Sequence, residues 1–225
     1  MGVLVAGGTG ALGGAVLREL VEAGHDVTTT WRADRERERI EAELGGRVSL
    51  VEADLSRDDA AMAAVESVPD LEAVVNLVGG FSSGAKVHET SSEDFERMIS
   101  LNLGSAFRLA HAAMPVLTGR GGGAFVGVSA RAALQPFSGA AGYIASKAAL
   151  LAFIKALDAE YRNEGVRCNA ILPSMIDTPA NRESMPNADT SKWVQPAEIA
   201  KVVRFLVSEE SAPTSGAAIP VYGRA

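Results

Sequence analysis

Tyr143 and Lys147 stand four residues apart in Tyr143-Ile144-Ala145-Ser146-Lys147, at the head of a helix-patterned run. On a helix such residues share a face, with Cβ atoms roughly 5–6 Å apart, so the ammonium can lie near the phenolic oxygen. At about 4 Å and an effective dielectric near 20 the attraction is about 4 kcal/mol, enough to bring a phenol pKa from about 10 toward neutrality. A tyrosine so poised is a general acid or base. The same spacing also occurs on solvated helices, so the elements around the pair decide its meaning.

Those elements alternate strand and helix from end to end. Gly2 to Ala6 reads as a short apolar strand, followed at once by Gly7-Gly8-Thr9-Gly10-Ala11-Leu12-Gly13-Gly14. Ala11 to Ala23 has helical spacing (Leu12, Val16, Leu20, Val21) and stops at Gly24. Between a strand and a helix, backbone without Cβ lets a pyrophosphate approach, and the N–H groups and dipole of the helix start bind its charge. Gly7, Thr9, Gly10, Ala11, Leu12 and Gly13 are therefore candidate dinucleotide contacts. Asp26 to Thr30 reads as the second strand, with Trp31-Arg32 at its tip, where an NAD site usually has an acid for the ribose 2′-hydroxyl. Arg32, with Arg35, can instead pair with a 2′-phosphate, which favours NADP over NAD. The mixed-sign run from Arg32 to Glu43 fits a solvated helix face equally well.

Val48 to Glu52 makes a third strand, followed by Asp54-Leu55, whose carboxylate can accept from an adenine amino group or cap the helix that starts near Asp58. Leu71 to Val78 is almost continuously apolar, as in a parallel sheet covered on both faces, and its end, Asn76-Leu77-Val78-Gly79-Gly80, offers backbone for a cofactor to pack on. A long amphipathic segment runs from Ser91 or Ser92 to Leu117 and contains Asn102 between two leucines, an unfavourable helix residue that invites a local or functional explanation. Ala124 to Val128 forms the fifth strand and ends at Ser129. Ala141 to Asn163 is the helix of Tyr143 and Lys147, and Val166 to Leu172 a sixth strand. From Pro173 to Gln195 periodicity disappears, which marks a lid over substrate or a protein interface. A helix from Pro196 to Ser208 and a strand from Ala217 to Tyr222 close the chain. The pattern predicts one α/β domain over residues 1–225, a Rossmann-type doubly wound parallel sheet of about seven strands with helices on both faces.

Composition narrows the partners. A net charge of −7 excludes the concentrated basic face that nucleic acid or an anionic membrane would select, leaving small metabolites. Cys168 is the only cysteine, so no internal disulfide forms. No basic leader precedes the first strand and no apolar run reaches membrane-spanning length, so a cytoplasmic protein is expected. His25, His88 and His111 lack metal-ligand spacing, and no metal site is expected.

The glycine turn, Asn76-Leu77-Val78-Gly79, Asn102, Ser129, Tyr143-x-x-x-Lys147 and Asn169-Ala170-x-x-Pro173, in that order, resemble the short-chain dehydrogenase/reductases over nearly the whole chain. Departures are alanine at the second glycine position of the usual turn and Leu-Val in place of the single alanine of Asn-Ala-Gly. The lid, Asp177 to Asp189 and Trp193, is locally similar to dihydropteridine reductases, although the acid those enzymes carry after strand two is missing. The resemblance implies hydride transfer between a nicotinamide and a carbonyl or alcohol carbon. Tyr143 would exchange the proton and Ser129 hold the same oxygen. Lys147 would also bind the nicotinamide ribose, Asn102 hold a proton-supplying water, and Pro173 and Thr178 contact the cofactor. It further implies a homodimer or homotetramer built on the two long helices. An epimerase or dehydratase, a quinonoid dihydropterin reductase, or a dinucleotide sensor would use the same scaffold.

Overall fold

The computed structural model describes residues 1–224; residue 225, which the single-domain reading also takes in, lies outside the described residues. Seven strands form one sheet in the order β3-β2-β1-β4-β5-β6-β7, every neighbouring pair parallel. They are β1 (Gly2–Ala6), β2 (Asp26–Trp31), β3 (Val48–Glu52), β4 (Leu71–Asn76), β5 (Gly123–Val128), β6 (Val166–Pro173) and β7 (Ala218–Val221). The helices are α1 (Ala11–Glu22), α2 (Asp34–Leu44), α3 (Asp58–Glu66), α4 (Ser92–Ile99), α5 (Ser105–Gly119), α6 (Ala141–Tyr161), α7 (Pro179–Ser184) and α8 (Pro196–Val207).

Period-two alternation along each strand sorts the core into two layers. Val3 and Val5 pack with Val16, Leu17 and Leu20 of α1 and Ile199 and Val203 of α8 on one face. Leu4, Val74 and Phe125 pack with Leu109 of α5 and Leu150 and Ile154 of α6 on the other. The strand order reverses between β1 and β4, and a crevice opens there at the carboxyl ends of the strands, the place where a doubly wound sheet takes its ligand.

Two elements differ from the sequence pattern. The long segment through Asn102 is α4 and α5 joined by a π-helical turn, Ser100–Gly104. The aperiodic stretch from 173 to 195 contains α7 and is tied at its base, where Ile176 and Val194 form a parallel bridge. Asp177 N donates to Val194 O at 2.8 Å, and Val194 N to Met175 O at 2.9 Å. Periodicity misses this segment because α7 has only six residues, none of them buried.

Candidate active site

β1 hands the chain to the glycine turn, and only some of its glycines are there for packing. Gly7 has φ +78°, and its N–H donates to Thr30 Oγ1 at 3.1 Å, so a buried threonine of β2 holds the turn. A Cβ on Gly8 would stand 2.2 Å from Thr29 Oγ1, and one on Gly13 2.3 Å from Gly8 O. These two glycines let helix and strand touch. Gly10 is different: a Cβ there would meet nothing nearer than Gly7 O at 3.4 Å, the residue is exposed, and it caps α1 with no side-chain bond. The N–H groups at Ala11, Leu12 and Gly13, which a helix leaves unmatched, thus open onto the crevice with their positive end of the dipole. That start fits an anionic pyrophosphate.

α2 clamps the same turn. Thr9 Oγ1 donates to Glu36 Oε2 at 2.9 Å, and the Thr9 carbonyl accepts from Arg39 Nη2. Sequence reasoning missed Glu36 and Arg39 because the charged run looked like a solvated face. Arg32, by contrast, projects with its side chain 69% exposed, 3.8 Å from Asp54 Oδ1. The Asp54 carboxylate also accepts from Ser56 N at 3.0 Å, which holds it below the usual carboxylate range. It caps a turn ahead of α3, whose own N-cap is Arg57. The Leu55 side chain is buried in the core, so only its backbone faces a ligand.

At the end of β4, Asn76 Oδ1 accepts from Val78 N at 3.1 Å, while its buried Nδ2 has no partner among the described residues. Gly79 is exposed, yet a Cβ on it would stand 2.6 Å from Asn102 Oδ1 and 3.0 Å from Lys147 Nζ. The loop thus lies directly against both side chains. The Asn102 amide accepts from Gly80 N (3.0 Å) and donates to Gly80 O (3.1 Å) and Ser146 Oγ (3.0 Å). Ser146 in turn donates to Tyr143 O at 2.7 Å. The asparagine side chain thus ties the β4 loop to α6 through the π turn, with both amide protons and one lone pair of Oδ1 engaged.

α6 brings Tyr143 and Lys147 to this crevice, but the pair does not behave as the spacing predicts. Lys147 Nζ is buried and donates to Val128 O at 2.8 Å. Burial lowers its pKa from 10.5 to about 8. Burial also pushes the Tyr143 phenol up, from 10.0 to about 12, with no offsetting attraction from the ammonium. The expected acidification of the phenol is corrected on this point: the ammonium gives one of its three protons to a β5 carbonyl, and loss of water dominates both groups. Ser129, at the end of β5, donates its hydroxyl to Lys147 O at 2.8 Å. Phe81 went unnoticed in the sequence, and its ring meets Tyr143 edge-on, centroids 4.9 Å apart at 79°. An isolated aromatic in a glycine-rich loop carries no pattern that would have found it.

The lid residues are partly committed elsewhere. Thr178 Oγ1 accepts from Asn181 N at 3.2 Å as the N-cap of α7, a bond that leaves its O–H free to donate. Pro173 is buried opposite Val221 at the end of β6. Asp177 is held at about 2 by Arg182, with Gln195 donating to the same carboxylate.

A single-domain seven-stranded parallel sheet with an open helix start at its switch point defines a nucleotide-binding oxidoreductase scaffold. The chain belongs to the short-chain dehydrogenase/reductase family: a family model described as enoyl-(acyl carrier protein) reductase matches residues 7–223. It is 28% identical to a 3beta-hydroxysteroid dehydrogenase of Mediterraneibacter gnavus over 98% of this chain and 86% of that protein. It is 29% identical to an acetoacetyl-CoA reductase of an Acinetobacter species over 98% and 95%. Among solved structures, a short-chain type dehydrogenase/reductase from Mycobacterium ulcerans superimposes with TM-score 0.93 at 26% identity, over 99% of this chain and 88% of the other. The protein is an enzyme of that family, an oxidoreductase of the NAD(P)-dependent kind. Among the described residues no helix is long and apolar enough to cross a membrane.

Proposed function

We propose that this enzyme reduces a small carbonyl compound to the alcohol with NADPH, Tyr143 delivering the proton. The observation that carries the reading is that β5 and α6 bring Ser129, Tyr143 and Lys147 together, with Ser129 Oγ 2.8 Å from Lys147 O and Lys147 Nζ 2.8 Å from Val128 O. The Tyr143 phenol, raised by burial, carries its proton at neutral pH, as a donor must. The nicotinamide, when bound, supplies the hydride. As charge builds on the substrate oxygen, the Tyr143 hydroxyl gives up its proton, and the nearby Lys147 ammonium stabilises the phenolate left behind. Ser129 fixes the same oxygen once its hydroxyl turns away from Lys147 O, a preorganised donor of the kind worth about 2.7–4 kcal/mol. Gly7, Thr9, Gly10, Ala11, Leu12 and Gly13 would receive the pyrophosphate. Asn76, Gly79, Asp54 and Leu55 would line the nucleotide, and exposed Arg32 would pair with a 2′-phosphate, hence NADP ahead of NAD.

In this reading Asn102 is a positioning residue that locks the β4 loop onto α6. Residues 173–195 cover the substrate and exclude water from the hydride step. The α5 face supports a homo-oligomer: Phe107, 52% exposed, stacks on His111 at 5.9 Å and lies 6.1 Å from Phe153 of α6. Such an uncovered aromatic cluster on two long helices suits a second copy of the chain. The likeness of the lid to dihydropteridine reductases keeps quinonoid dihydropterin among the substrates to be tried. Incubation with deuteride-labelled NADPH and a panel of ketones, aldehydes, quinones and quinonoid dihydropterin tests the reading. Deuterium appearing in product, one for each NADPH consumed, is the expected result. Turnover without net NADPH loss would assign an epimerase or dehydratase, and binding without any turnover a sensor.

A further inference from the structure

Arg131 lies two residues beyond Ser129, in the 3-10 turn Arg131–Ala133, and the hydride-transfer reading gives it nothing to do. Its Nε donates to the neutral Gln135 Oε1 at 2.7 Å, and its guanidinium lies 4.9 Å over the ring of Tyr222. No carboxylate among the described residues lies within 4 Å of it. The arginines around a cavity of about 530 Å³ at the sheet's opposite end are already employed. There Arg120 meets Glu72, Arg162 meets Asp158, and Arg167 donates to Leu206 O, Ser208 O and Ser211 Oγ. Arg131 is instead a half-buried cation on an aromatic plate, bonded among the described residues to a neutral amide, a geometry that suits planar oxyanions.

Its position says which molecule would bring the anion. Tyr222 O accepts from Ser174 Oγ at 2.9 Å, and Ser174 N donates to Val221 O at 3.2 Å, so the chain after β7 is pinned to the root of the lid. Arg131, over the Tyr222 ring, is thereby joined to that root of the lid on the β6 and β7 side. The helix start that suits a pyrophosphate follows β1, two strands from β5, about 10 Å away at the usual strand spacing. Two residues of chain span at most about 7 Å, so the guanidinium is rooted within a small molecule's length of Ser129. Phe81, whose ring meets Tyr143 edge-on, is 59% exposed and offers an apolar plate.

We propose that Arg131 binds a carboxylate-class oxyanion carried by the substrate, so that the enzyme acts on anionic carbonyl compounds with an apolar body between the reacting carbon and the charge. The proposal rests on the carbonyl-reductase reading, and the experiment separates the two. Benzoate and benzyl alcohol are titrated calorimetrically into wild type, Arg131→Gln, Arg131→Lys and Tyr222→Leu, all saturated with NADP. In parallel kcat/KM is measured for 4-formylbenzoate and benzaldehyde with NADPH. Benzoate is expected to bind and benzyl alcohol not. The carboxylated aldehyde should be preferred by about 10- to 100-fold, the range of a charge-assisted pair. Arg131→Gln should abolish that preference, Arg131→Lys retain part of it, and Tyr222→Leu keep most of it. Absent benzoate binding, a preference unchanged in Arg131→Gln, or an equal loss in Tyr222→Leu would overturn the proposal, the last showing that Arg131 merely pins the chain end. Arg131-dependent benzoate binding with neither aldehyde reduced would sustain it and defeat the carbonyl-reductase reading instead.

Discussion

Lys147 gives the sharpest quantitative test, because its charge is buried in a place where its titration can be read from stability. In the folded protein burial lowers its pKa from 10.5 to about 8, while the unfolded chain keeps the ordinary value. Between those two pH values the unfolded state binds more protons than the folded state, so folding stability rises with pH across that window. Each pH unit of displacement is worth about 1.4 kcal/mol, which makes the whole contribution about 3 kcal/mol. Lys147→Met removes the titration and keeps the volume. Urea unfolding of both proteins without nucleotide, followed by circular dichroism from pH 7 to pH 10.5, gives the difference directly. Wild type should gain about 3 kcal/mol on the variant as pH rises. Tyr143, whose raised pKa costs stability above pH 10, is present in both proteins and cancels. A difference that stays flat, or that falls with pH, would show that the ammonium is solvated or paired and would refute the burial argument.

Other substitutions separate packing from binding. Gly13→Ala places a Cβ 2.3 Å from Gly8 O, backbone against backbone, so it should cost about 1–3 kcal/mol in urea unfolding and weaken nucleotide binding with it. Gly10→Ala, with 3.4 Å of clearance, should leave stability within about 0.5 kcal/mol and show any effect in nucleotide affinity alone. Arg32→Ala should reduce the ratio of NADPH to NADH affinity by about tenfold, measured by fluorescence titration, since an exposed arginine–phosphate pair is being removed. A ratio that does not move would leave the 2′-phosphate without a partner on β2.

The sheet was legible because its signals are local. Leu71 to Val75 and Phe125 to Val128 are apolar runs bounded by turn residues, and Gly24 and Gly165 end their helices at φ +84° and +82°. What sequence could not show is where side chains cross between distant segments. Asn102 invited a functional reading, and its bonds to Gly80, 22 residues away, arise through a π turn that no helical periodicity reveals. The Lys147 charge was expected beside Tyr143. Helical spacing fixes where the side chain starts, whereas the carbonyl of Val128, 19 residues earlier, fixes where it ends. Glu36 and Arg39 read as surface charges because their partner, Thr9, belongs to another element. Thr178 shows the converse: a local rule, a threonine before proline at a helix start, accounts for its N-cap bond to Asn181.

One comparison goes to the core of the account, the rate of carbonyl reduction by Tyr143→Phe against wild type, with NADPH affinity measured on the same samples. Loss of the phenolic proton with the ring kept should leave cofactor affinity within about twofold and lower kcat by about 10²- to 10⁴-fold. Unchanged turnover in Tyr143→Phe would mean that the proton reaches the substrate from elsewhere, and the role assigned to this side chain would fall.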